Sequence, residues 1–179
     1  LQSRRDLVCR LLLEKKKNNP QNCGKLDDYH GIGQIGDPDC GDFVEMTVHI
    51  SEDNQKVEKI RYRIKGCPAA IATTSITSVI AEGMQIEDAL KITDNQIVEA
   101  LNGLPENKIH CSLLAVRALQ LAIQDAILKR LFRKAGVVSS DAEFEQLKKD
   151  GRLNEYLGLQ PGLDNHACDG SCETSGVKC

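Results

Sequence analysis

The stretch from Val44 to Gly83 constrains the fold most, because its apolar periodicity changes once and abruptly. Val44, Met46, Val48 and Ile50 alternate with Glu45, Thr47 and His49, the period of a strand with one buried face. The run SEDNQK is turn chemistry. Ile60, Tyr62 and Ile64 then alternate with Arg61, Arg63 and Lys65, so the two segments predict a hairpin. Gly66-Cys67-Pro68 ends the second strand. Pro68 suits the first position of a helix, since its missing N–H would have had no partner there, and the spacing predicts a helix from it to a glycine stop at Gly83.

Around this unit the chain reads as mostly helical. Residues 3–17 predict a helix opened by Ser3, with Leu7, Leu11 and Leu12 on its packed side. NNPQNCG ends it, and a loop rich in Gly and Asp is expected from Lys25 to Asp42. Beyond Gly83 a short helix is expected over Ile86–Leu90. A second follows to about Leu101, opened by the capping box of Thr93 and Gln96. After a loop at Gly103, Pro105 and Asn107, a long helix is expected from Ser112 to about Lys134. Its apolar stripe is Leu113, Leu114, Ala118, Leu121, Ala122 and Ile127. Ser140 with Glu143 caps a further helix from Asp141 to about Leu157, interrupted at Gly151, and the rest is a flexible tail. The expected division is a domain over 1–134, with a helical extension and Cys-containing tail over 135–179.

A run of ~18 apolar residues is missing, so no spanning helix and no membrane role is expected. Net charge is −3 and aromatics make up 3%, which argues against a nucleic-acid platform of clustered cations and stacking rings. One basic row, Lys59, Arg61, Arg63 and Lys65, fits a solvated strand face or a dock for an acidic patch.

Eight cysteines in 179 residues need an explanation. A disulfide framework belongs with small, loop-rich secreted folds. Regular helices with cysteines at element ends fit an intracellular, cytoplasmic metal or sulfur protein better. Cys40 ends the Gly/Asp loop, Cys67 lies between strand and helix, and Cys111 precedes the long helix beside His110. At the last two, the helix macrodipole is expected to favour thiolate, the form that binds metal or accepts sulfur. With Asp42 or His110, the three thiolates make a four-ligand site. That count suits tetrahedral zinc and equally a [2Fe–2S] cluster. An oxygen or imidazole member binds iron less firmly than a thiolate, which suits a site that releases its cluster.

The stretches NNPQNCGKLDD, GIGQIGDPDCGDF, GCPAAIATTS and LPENKIHCSLLA resemble, in order and spacing, the IscU/NifU N-terminal scaffold family, from about residue 16 to residue 130. The resemblance implies an α+β fold of the IscU/SufE-like type, a small antiparallel sheet packed against helices. It implies that Cys40, Asp42, Cys67, His110 and Cys111 hold iron as a nascent [2Fe–2S] cluster, or zinc. Cys111 would take sulfur as persulfide, and Asp42 would govern release. It further implies a cysteine desulfurase as sulfur donor and apo iron–sulfur proteins as acceptors, with ferredoxin, an Hsp70-type chaperone and a homodimer as further expectations. The segment such a chaperone grips corresponds to Leu104-Pro105-Glu106-Asn107-Lys108.

The competing enzymatic reading is a zinc-dependent sulfurtransferase using the same cysteines, and the structural one is a zinc protein. The family's zinc-dependent branch carries an insertion between the positions of Cys67 and Cys111 that is missing here. His166, Cys168, Cys172 and Cys179 in the tail could chelate metal or remain free thiols. Cys9 suits helix packing, and Cys23 lies in a turn.

Overall fold

A computed structural model describes residues 19–37, 41–53, 55–105, 108–150 and 152–153. The expected first helix with Cys9, the loop position Cys40, and the tail with His166, Cys168, Cys172 and Cys179 lie outside the described residues.

Three antiparallel strands form one sheet in chain order: β1 (Gly31–Asp37), β2 (Asp42–Ile50) and β3 (Val57–Lys65). Among the described residues five helices follow: α1 (Pro68–Ala81), α2 (Ile86–Leu90), α3 (Asp94–Ala100), α4 (His110–Lys134) and α5 (Asp141–Lys149). This is the expected α+β arrangement of a small sheet against helices.

The β2–β3 hairpin forms where the alternation places it. Val44, Met46, Val48 and Ile50 are buried with Val57, Ile60 and Tyr62 from β3. The opposite face is less solvated than alternation alone implies. Glu45 is buried because Gln34 Nε2 and Arg63 Nε each donate to its carboxylate at 2.8 Å. Thr47 is buried beneath the segment carrying Leu26, whose N–H donates to its hydroxyl.

β1 is a correction to the expected Gly/Asp loop. Glycine is depleted in strands and punctuates loops, which is why the sequence suggests a loop there. Here it serves approach. A Cβ at Gly31 would lie 2.1 Å from the Ala122 carbonyl oxygen, and one at Gly33 would lie 2.1 Å from that of Ala118. With those glycines, α4 sits directly on the backbone of β1.

The packed stripe of α4 is accordingly made of small residues: Ala115, Ala118, Ala122 and Ala126, with Leu114, Leu119 and Ile123 beside them. The expected stripe shares Leu114, Ala118 and Ala122 with it. Leu113 instead faces outward at 42% exposure, and Leu121 and Ile127 are half-buried. By length and composition α4 could cross a membrane, but most of that stretch is buried inside this fold. α4 also starts two residues before the expected Ser112, so His110 and Cys111 belong to its first turn.

The caps follow the sequence. Cys67 is the N-cap of α1 with Pro68 after it, Thr93 and Gln96 form the capping box of α3, and Ser140 accepts the Glu143 N–H at the start of α5. α5 docks on the far end of α4 through Phe144, which is buried against Phe132 and Val138. Beneath it, Asp125 and Lys129 of α4 pair at 2.8 Å, Lys148 of α5 joins Asp125 and Glu145 joins Lys129. The second Asp125 oxygen also accepts the N–H of Ile32, tying this cluster to β1.

Candidate metal centre

Three chain segments converge at one end of the sheet. Asp42 opens β2, and the register that pairs Phe43 with Lys65 sets it beside the end of β3. There its Oδ1 accepts the backbone N–H of Cys67 at 2.9 Å. Gly66 leaves room for this, since a Cβ there would lie 3.0 Å from the same oxygen. Cys67 caps α1, its sulfur accepting the Ala70 N–H at 3.4 Å. The packing of α1 against α4 then carries Cys111 to it, with 3.7 Å between the two Sγ atoms.

That separation has a chemical meaning. A disulfide needs ~2.05 Å, so the two sulfurs are not bonded, and the described cysteines Cys23, Cys67 and Cys111 are all free. Two thiolates ~2.3 Å from one metal at a tetrahedral angle lie ~3.8 Å apart, close to the distance found. With Oδ1 held by the Cys67 amide, Asp42 turns Oδ2 toward Cys111, 3.9 Å from its sulfur. The ligand atoms of Asp42, Cys67 and Cys111 all lie within 4.8 Å of one another, a spacing that could hold a metal ion. Asp42 and Cys111 are buried and Cys67 is half-buried, so solvent reaches the group from the Cys67 side.

His110 is adjacent but offset. Its Nε2 lies 3.5 Å from the Cys111 sulfur, yet it is not one of the three residues whose ligand atoms are mutually close. Cys40 lies outside the described residues.

The expected thiolate character of Cys111 is corrected. Burial pushes its thiol up to about 12, with the neighbouring Cys67 and Asp42 acting in the same direction and Lys108 opposing them. The sulfur sits inside the first turn of α4 rather than ahead of it. Loss of water there is the largest influence on the thiol. Cys111 therefore rests as a thiol and gives up a proton when it binds metal.

Two contributors went unread in the sequence. Gly66 looks like a strand breaker, and Thr73 looks like filler in a run of small hydroxyl residues. Thr73 is fully buried, and its hydroxyl lies 3.1 Å from the Cys111 carbonyl oxygen. No periodicity or spacing marks it. Half of the basic row is neutralised within the chain: Arg63 binds Glu45, and Arg61 binds Glu82 at 3.3 Å. Cys23 is exposed, in a backbone bridge to Tyr62.

Comparison with known proteins places this geometry in context. The chain matches the NifU-like N terminal domain family over residues 13–131. It is 42% identical to the iron-sulfur cluster assembly scaffold protein IscU 1 of Archaeoglobus fulgidus, over 83% of this chain and 89% of that one. It is 36% identical to the IscU scaffold protein of Aquifex aeolicus, over 78% of this chain and 89% of that one. The fold resembles the crystal structure of a nitrogen-fixing NifU-like protein (N-terminal) from Brucella abortus. That likeness has a TM-score of 0.52 at 16% identity and covers 65% of this chain and 92% of the other.

Proposed function

Given that the chain belongs to the NifU-like N-terminal domain family, we propose that it is a scaffold on which iron–sulfur clusters are assembled and from which they pass to other proteins. It acts as a carrier without turnover of its own. The observation that carries this reading is the 3.7 Å between the Cys67 and Cys111 sulfurs, with the Asp42 carboxylate beside them.

The cluster is cargo, and a [2Fe–2S] cluster suits the donor set. Cys67 and Cys111 supply thiolates, and Cys40, two residues before Asp42, supplies the third. Asp42 supplies the oxygen. One of its oxygens stays committed to the Cys67 amide, so it offers iron a single hard donor, the weakest member of the set. That is the bond to break first in release.

Sulfur comes from a cysteine desulfurase. The Cys111 thiolate attacks the outer sulfur of the donor's persulfide, the donor's S–S bond breaks, and its cysteine leaves as thiolate. Cys111 gives up its thiol proton before it attacks, with the His110 ring beside it and Nε2 3.5 Å from the sulfur.

Anaerobic reconstitution with ferrous iron, cysteine, a desulfurase and an excess of a thiol reductant, which supplies the two electrons that take each persulfide sulfur to sulfide, tests the reading. The chain should turn brown with sulfur-to-iron charge-transfer bands, and Cys67→Ser and Cys111→Ser should each abolish the colour. A colourless, zinc-only product would favour the sulfurtransferase or structural-zinc alternatives and overturn the scaffold reading.

A further inference from the structure

α1 carries five buried hydroxyl residues: Thr73, Thr74, Ser75, Thr77 and Ser78. Buried hydroxyls in a helix usually satisfy themselves on the carbonyl three or four residues back. Thr74 donates to Ala70 O at 2.8 Å, Thr77 to Thr73 O at 2.8 Å and Ser78 to Ser75 O at 2.7 Å. These bonds stay inside α1.

Thr73 does more. Its hydroxyl lies 3.0 Å from Ala70 O and 3.1 Å from Cys111 O, so one proton is shared between α1 and the first turn of α4. The helix it belongs to begins at Cys67. The bond therefore joins the backbone of one thiol-bearing residue to the helix capped by the other, and the sulfurs of those two residues are 3.7 Å apart. It is a polar tie in an otherwise apolar contact, which also contains Ala69 and Ala70.

We infer that Thr73 is a positioning residue that sets the separation of the Cys67 and Cys111 sulfurs by anchoring the Cys111 carbonyl to α1. It acts through the Cys111 backbone. The inference rests on the reading that these two cysteines share a metal. Outer contacts that orient ligands commonly change metal affinity ten- to a hundredfold, while a single buried hydroxyl bond contributes only modestly to folding stability, so its loss leaves a folded chain.

Cobalt(II) titration of the full chain separates the possibilities, because the ligand-field bands report coordination geometry and the thiolate charge-transfer band reports sulfur ligation. Thr73→Val keeps the side chain's shape and removes the hydroxyl. It should weaken cobalt(II) roughly tenfold and shift the ligand-field bands, with thermal unfolding close to wild type. Thr73→Ser should restore both. Thr77→Val deletes a hydroxyl bonded within α1 and should leave the spectrum unchanged. Should the valine variant be insoluble, Thr73→Ala carries the same expectation. Wild-type affinity and bands in the Thr73 variants, or an equal change in Thr77→Val, would overturn the inference. A wild-type chain lacking the charge-transfer band would instead bring down the shared-metal reading, and the positioning role with it.

Discussion

At the residue scale, the site depends on a few atoms with divided duties. Asp42 holds the Cys67 amide with one oxygen and faces Cys111 with the other. On the proposed reading, replacing it by alanine leaves only the firmer thiolate bonds from which release would have to begin, so transfer of a bound cluster to an acceptor should slow and the cluster should persist on the chain. Stopped-flow circular dichroism would follow this, and an unchanged rate would remove Asp42 from release. Away from the site, His30 accepts the Ile50 N–H and an Arg130 N–H on its Nδ1, both at 3.1 Å. Burial, then the neighbouring charges of His49 and Arg130, hold its pKa below the usual 6.5, with Asp28 pulling the other way. The unfolded chain thus takes up a proton near pH 6.5 that the folded chain resists, and stability must fall as pH drops below that value. His30→Asn keeps an acceptor and loses the titration, so its melting temperature should fall less than wild type between pH 7.5 and 5. Parallel decline of the two curves would contradict this. Sequence reasoning singled out Cys67 and Cys111 because each sits at an element end, and the fold brings both beside Asp42. It missed Thr73, since nothing in a run of hydroxyl residues says which one reaches across to another helix.

At the element scale, the decisive contact is α4 on β1. Gly33→Ala would drive a methyl to 2.1 Å from the Ala118 carbonyl oxygen, where only backbone could yield. Overpacking of that kind should cost about 3 kcal/mol in urea unfolding, and a loss below about 1 kcal/mol would mean that helix and strand part easily. The hairpin and α1 were legible because alternation and a Gly-Cys-Pro break are strong local signals. β1 was not, because its glycines answer to a helix more than eighty positions further on, which no local window contains. The early start of α4 was hidden for a similar reason. Ile109 caps it without any side-chain hydrogen bond, so the sequence shows no capping residue there.

At the scale of the whole molecule, the centre and the α5 attachment lie at opposite ends of α4, with Cys111 in its first turn and Phe132 in its last. Phe144 is buried against Phe132 in an edge-on ring contact. Phe144→Ala should cost about 3 kcal/mol and loosen α5, visible as faster amide exchange there, while metal binding at Cys67 and Cys111 stays at wild-type affinity. A parallel loss of metal would show that the extension supports the centre along α4. The central claim is that this centre holds a cluster in order to give it up. Its most direct test is to mix the anaerobically reconstituted chain with an apo-ferredoxin and record circular dichroism over time. The account predicts that the scaffold's signal decays as the holo-ferredoxin signal appears, with iron and sulfide moving together. A chain that keeps its cluster, or that holds zinc and has none to pass on, would contradict it.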